Sequence, residues 1–268
     1  MDNAATAELT DRTMPAFTLQ AFSRWQAFGL HLVISALIAG IVIALVVVLW
    51  YPRPYFAAMG GEMLLRLLIG VDVVIGPLIT LIIFDTRKPG LKYDLATIAL
   101  LQVAALAYGG YVMFDARPVY TVFTGDRFYT VPANSIDQES QVRVASEFSA
   151  LPYDGPRVVG ARKSANAGES SQIAMAAMLG GPDIQHLPHL YVPYAEMAAE
   201  AARAAKPLVT LAQKGKEPAD LVTAFVSANG RAGRSLGFVP VRARNRDFAA
   251  VIDRNSGAIV GYLMIDPW

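Results

Sequence analysis

The sequence predicts a membrane protein: three transmembrane α-helices followed by a soluble α+β domain with an antiparallel sheet. Three observations carry that prediction. Apolar runs of about twenty residues recur within the first 117 positions, each long enough to cross a hydrocarbon core about 30 Å thick at about 1.5 Å of rise per residue. Charged residues make up only 17% of the chain, below the usual quarter, and the deficit is concentrated in that same stretch. From Arg117 onward the composition returns to that of a soluble domain, where alternating apolar segments alternate with alanine-rich helical ones.

Residues 1–23 are polar and of mixed charge, with Asp2, Glu8, Asp11 and Arg12, and read as a flexible cytoplasmic tail rather than as a signal peptide. Residues 24–117 form the membrane domain. Arg24 and Trp25 make an interface anchor, and the first span runs over about 28–50, with His31 near its start. Trp50 and Tyr51 close it as an aromatic belt, and Pro52 and Pro54 stop it. The second span covers about 63–84 and the third about 93–114. Ala96, Ala99, Ala107 and Gly110 make a small-residue stripe on the third span, of the kind that lets helices approach closely.

The second span holds the stretch around which the rest is arranged, Gly70-Val71-Asp72-Val73-Val74-Ile75-Gly76-Pro77-Leu78-Ile79-Thr80. An acid near the middle of a span costs about 2.5–3.5 kcal/mol on insertion scales. Pro77 adds a kink and deprives the Val73 carbonyl of its helical donor. A neighbouring helix has to satisfy both groups, so Asp72 is either a structural anchor between helices or part of a functional site. Gln102, mid-way along the third span, lies near the right depth to be its partner. Arg66 and Asp72 are six residues apart, point about 120° away from each other, and so need separate partners. Asp94 reads as a first-turn acid, favourable at a helix N-terminus and next to Lys92.

Residues 118–268 form the soluble domain, long enough to bury its own core and expected to fold alone. Val119–Phe123 and Arg127–Val131 alternate around Thr124-Gly125-Asp126 as a hairpin. Arg157–Ala161 is a short strand. Helices are expected at Ser171–Leu179, Ala195–Ala205 and Ala219–Ser227. The chain closes with strands at Gly237–Ala243, Phe248–Asp253 and Ala258–Ile265, with Asn255-Ser256-Gly257 turning between the last two.

Read in order, these stretches resemble the type IV pilin accessory proteins (the TfpX/TfpZ group). The likeness lies in Phe28-Gly29-Leu30-His31-Leu32, Leu49-Trp50-Tyr51-Pro52, Gly70-Val71-Asp72, Gly76-Pro77-Leu78-Ile79-Thr80-Leu81 and Leu91-Lys92-Tyr93-Asp94-Leu95. It continues through Gln102, Ala105-Leu106-Ala107-Tyr108-Gly109 and Ala116-Arg117-Pro118-Val119-Tyr120 to Asp126-Arg127-Phe128, Leu187-Pro188 and Pro267-Trp268. The resemblance covers about residues 24–268. It implies an inner-membrane assembly factor that binds or stabilises the major type IV pilin before or during pilus assembly, with other pilus assembly proteins as further partners. It implies no catalytic residues and no cofactor. The residues singled out above for partner binding or helix packing are therefore Arg66, Asp72, Pro77, Asp94 and Gln102.

Other chemistries have less support. A net charge of +1 suggests no nucleic-acid partner, and the lack of cysteine excludes disulfides and thiolate metal sites. An intramembrane aspartyl peptidase would need Asp72 and Asp94 about 3 Å apart, yet Asp72 sits about 18 Å from the cytoplasmic end of its helix and Asp94 within about one turn of the end of the next. Asp183, His186 and His189 offer a weak zinc pattern that Pro188 interrupts. Ser170 and Ser171 have no histidine and acid at a recognisable spacing. A membrane-anchored periplasmic sensor or ligand-binding module is the alternative class, but it needs an output region that a tail and a short loop do not supply.

Orientation follows from the basic residues. Arg12, Arg24, Arg87, Lys88 and Lys92 fall on one side and Arg53 on the other, which places the N-terminus in the cytoplasm and the C-terminal domain in the periplasm of a Gram-negative cell. A phosphatase fused after Trp268 should accordingly be active and one inserted within Arg87–Lys92 inactive; the reverse pattern would overturn the assignment.

Overall fold

The computed structural model describes residues 23–142, 144, 146–230 and 234–268, so the expected tail falls outside the described residues except for Ser23. Three helices are long and apolar enough to cross a membrane: Arg24–Trp50, Gly61–Ile83 and Leu91–Asp115. They match the three expected spans with ends shifted by a few residues. Ser23 starts the first in a capping box, its Oγ accepting from Gln26 N at 3.2 Å while Gln26 Oε1 accepts from Ser23 N at 2.9 Å. The second and third begin after Gly60 and Gly90, both at positive φ where glycine is favoured. The third span is in contact with the second on one side only, and its small-residue positions Ala96, Ala99 and Ala107 face outward. Among the described residues, those three positions are exposed, and Gly110 is partly buried.

The C-terminal domain holds strands β1 (Pro118–Phe123), β2 (Phe128–Pro132), β3 (Arg157–Ala161), β4 (Tyr191–Pro193), β5 (Lys206–Pro207), β6 (Leu236–Arg242), β7 (Phe248–Asp253) and β8 (Ile259–Leu263). Their order is β4-β3-β1-β2-β6-β7-β8, with β5 pairing alongside β6. The expected antiparallel sheet is corrected here: the sheet is mixed. β1 runs parallel to β3 and β2 parallel to β6, while the other neighbours are antiparallel. The hairpins β1–β2, β6–β7 and β7–β8 have local turn signals, including Gly125 and Gly257 at positive φ. The parallel pairs join strands separated by long crossovers, which leave no such signal. Helices Ala167–Met178, Ala198–Ala204 and Lys216–Asn229 fill the connections near the three expected positions.

The main core does not respect the change in composition at residue 117. The loop between the first two spans enters it: Tyr51, Tyr55, Ala58 and Met59 are buried together with Phe123, Phe128, Val241 and Phe248 of the sheet. Tyr55 donates or accepts a 2.8 Å hydrogen bond with Thr121 Oγ1 on β1 and lies 3.2 Å from the Tyr262 hydroxyl on β8. Its ring meets Phe248 and Tyr262 edge-on. Burial, and then the neighbouring Tyr262, push the Tyr55 phenol well above its ordinary pKa, so it stays neutral. The Ala58 carbonyl accepts from the backbone N–H groups of Asn245 and Arg246 at 2.9 and 3.1 Å, tying the loop to the β6–β7 turn. The Tyr51 hydroxyl donates to Met113 O at 2.8 Å, joining the end of the first span to the end of the third.

A fragment of residues 118–268 alone would leave those loop side chains behind and the sheet face they cover exposed. In the full-length protein, Tyr55→Ala should destabilise the sheet domain by about 3–5 kcal/mol, the usual cost of removing a buried aromatic ring. Thermal unfolding of the purified protein reads this; an unchanged melting temperature would mean the loop merely rests on the sheet.

Candidate functional site

The second span is not a continuous α-helix. It is α-helical over Gly61–Ile69, a π-turn over Gly70–Ile75, and α-helical again over Gly76–Ile83. In the π-turn the Gly76 N–H bonds the Val71 carbonyl, five residues back. The next bond in that register would join residue 77 to the Asp72 carbonyl, and residue 77 is a proline with no N–H. In this register the Asp72 carbonyl is left without a helical donor.

Gln102 of the third span satisfies it. Its Nε2 donates to the Asp72 carbonyl at 3.1 Å. Its Oε1 lies 2.8 Å from His31 Nε2 of the first span, and His31 Nδ1 lies 2.7 Å from Thr80 Oγ1 of the second. The directions are mutually consistent. Gln102 Oε1 can only accept, so the His31 Nε2–H donates to it, Gln102 Nε2 donates to the carbonyl, and the Thr80 hydroxyl and His31 Nδ1 complete the chain. One chain of hydrogen bonds thus links all three spans in a region with no water to compete. Gly76 makes it possible: a Cβ there would collide with Gln102 Nε2. His31 and Thr80 both stand out in the sequence, but neither is among the residues expected to pack the helices. Their signal was available, since polar side chains that can hydrogen-bond are rare in these spans.

The other sequence-derived residues divide. The Asp72 side chain is 7% exposed, and neither carboxylate oxygen has a hydrogen-bond partner. Gln102 reaches its backbone and not its acid. Arg66 lies near the N-terminal end of the span, with a side chain 81% exposed, 3.6 Å from Glu62 one turn earlier. Asp94 occupies the first turn of the third span as expected, and its ion-pair partner is Lys88 at 2.5 Å. Gln102, the third-span residue that bonds the Asp72 carbonyl, is itself about 12 Å of helical rise from Asp94, so the two carboxylates do not form a dyad.

In the sheet domain, Asp183 and His186 cap a short turn and His189 bonds Ser140 at 2.5 Å and Glu169 at 3.2 Å. No group of three or more histidines and acids able to hold a metal occurs among the described residues. The conspicuous polar construction in the chain is the one inside the membrane spans.

The family model described as fimbrial assembly protein FimB matches residues 20–60, the first span and the loop that enters the sheet core. A fimbrial assembly protein of serogroup I from Dichelobacter nodosus is 32% identical over 232 residues, 85% of this chain and 90% of that protein. The chain belongs to the fimbrial assembly protein family. The serogroup E1 protein of the same organism is 31% identical over 232 residues, with the same shares covered. The protein of serogroups C1 and C2 is 39% identical over 101 residues, 37% of this chain and 76% of that one. No solved structure matches the chain. The family assignment agrees with the resemblance to type IV pilin accessory proteins, and it extends over the membrane spans and the sheet domain together.

If the hydrogen-bond chain holds the three spans in register, Gly76→Ala should push Gln102 away and strip both the Asp72 carbonyl and His31 of their partner. The expected cost is about 1–3 kcal/mol, that of leaving buried polar groups unsatisfied. It should appear as a lower melting temperature in detergent and less protein in the membrane, and Gln102→Leu should do the same. Wild-type behaviour of both variants would show that the chain of bonds carries no stability.

Proposed function

We propose that this chain is a non-enzymatic assembly factor for the type IV pilus, held in the bacterial inner membrane, with its sheet domain in the periplasm. It binds the major pilin and stabilises it before handing it to the growing fibre. The observation that carries this reading is the 32% identity to a fimbrial assembly protein over 232 residues, which covers 90% of that relative. The architecture fits the role. The spans are tied to each other by a hydrogen-bond chain and to the sheet by a buried loop, which gives a rigid platform on which a membrane-anchored subunit can wait.

Within this reading, Arg66 is the residue placed to meet an acid on the pilin's own membrane helix. It is exposed and lies about a turn and a half into the second span. Its present partner, Glu62, is also exposed, and an exposed i,i+4 pair is worth less than about 1 kcal/mol, so a stronger partner can displace it at little cost. Arg66→Gln should therefore leave the amount of protein in the membrane unchanged while lowering cross-linking to pilin and the number of surface pili. Piliation at the wild-type level in cells carrying Arg66→Gln would reject the contact. Wild-type piliation in cells lacking the protein altogether would reject the assembly role itself.

A further inference from the structure

We propose that the groove between the second and third spans is a docking site for a transmembrane helix of a partner protein, one that carries a cationic group (an ammonium or a guanidinium) to Asp72. For the identity of the partner as a pilus component, this rests on the assembly role above.

Asp72 lines a cavity of about 200 Å³ whose other walls include Leu67 and Leu68 of the second span and Ala105, Tyr108 and Gly109 of the third. The walls are almost wholly apolar. Leu67 is 69% exposed and Tyr108 71% exposed, so the groove is open along its outer side. Asp72 is its acid, and both oxygens are buried without a partner. Gln102 Nε2 is committed to the Asp72 carbonyl, His31 to Gln102 and Thr80, and Arg66 to Glu62, and Tyr108, though it lines the same cavity, makes no hydrogen bond to either carboxylate oxygen. The network that satisfies the backbone of residue 72 thus leaves its side chain unanswered. A carboxylate shielded from water attracts a positive group strongly and specifically.

Depth identifies the source of that group. Asp72 lies midway between Gly61 and Ile83, with about 16 Å of helical rise to either end. A lipid headgroup amine stays at the interface, about 15 Å from the centre of the bilayer. A cation on a membrane-embedded helix of another protein can reach the acid. On the third span the groove is lined by the small residues Ala105 and Gly109, which lets a second backbone lie close. The groove supplies shape and apolar contact, and Asp72 supplies selection, since an apolar helix without a cation would leave the acid as it is.

The test uses the full-length protein in piliated cells. A photo-reactive phenylalanine replaces Tyr108 in the groove or, as a control, Ile41 on the exposed face of the first span. The Tyr108 position should give an adduct whose attached peptide is an apolar helix of a pilus protein bearing a lysine, an arginine or a free amino terminus, and the Ile41 position should not. Asp72→Asn should lower that adduct at least fivefold and Asp72→Glu should retain it. Because Asp72→Asn can also lower the amount of protein, Ala105→Lys serves as a second variant. A lysine on the facing span answers the acid within the chain, so the protein should persist in the membrane while the adduct is lost. Adducts at Tyr108 made only of lipid, of a second copy of this chain or of a helix without a cation overturn the proposal. So does an adduct that persists at full yield in Ala105→Lys or in normally abundant Asp72→Asn. Cells lacking the protein separate the two readings. If they make normal pili while the Tyr108 adduct forms, the assembly role fails and the groove stands; if they are bald and Tyr108 captures only lipid, the groove fails and the assembly role stands.

Discussion

A backbone carbonyl in hydrocarbon has to find a donor, and Pro77 ensures that the helix itself cannot provide one for Asp72. Much of the membrane half follows from that requirement. The donor comes from Gln102 on another span, so the two spans must meet at that depth. Gln102 can approach only because residue 76 has no side chain. Its amide is turned the right way by His31, and His31 is held in turn by Thr80. A single imino acid thereby constrains residues on all three spans. The π-turn is the geometric expression of the same requirement, because it moves the bare carbonyl to a position where a neighbouring helix can reach it.

The membrane half and the sheet are one packed object. Tyr51, Tyr55, Ala58 and Met59 leave the spans and complete the core of the sheet, and the Ala58 carbonyl holds the β6–β7 turn. At the other connection, Arg117 is buried: its Nη1 donates to Phe114 O at 2.7 Å, its Nε donates to Pro152 O at 3.2 Å, and its guanidinium lies 3.8 Å from the centre of the Phe114 ring. Burial lowers its pKa from the ordinary value, with Tyr153 and Asp115 opposing the shift. These bonds leave little freedom at the membrane surface. Relatives that align over both halves at about 32% identity are consistent with the two being retained together.

Much of this was legible in the sequence wherever the signal was local. The spans follow from runs of apolar residues, β3 and β7 fall on the expected residues, and the turns at Gly125 and Gly257 mark their hairpins. Gln102 stood out because an amide in a span must find a partner. What was not legible depends on pairs distant in the chain. The parallel pairing of β1 with β3 and of β2 with β6 has no turn to announce it. The loop's place in the core was hidden because Tyr51, beside Trp50, resembles an ordinary aromatic belt. A proline in a regular α-helix bares the carbonyl four residues back, at Val73; that the Asp72 carbonyl is bared too depends on the π register, which has no local signal. The antiparallel expectation failed because three of the strand pairs are hairpins and the rest were inferred from them.

The third span ends at Asp115 and β1 begins at Pro118, with the buried residues Ala116 and Arg117 between them. So short and so enclosed a joint cannot swivel. The sheet consequently stands off the bilayer at a set height and a set bearing, like a gauge clamped to its base. The alignment of the sheet with the spans needs no moving part, because it was settled when the chain folded.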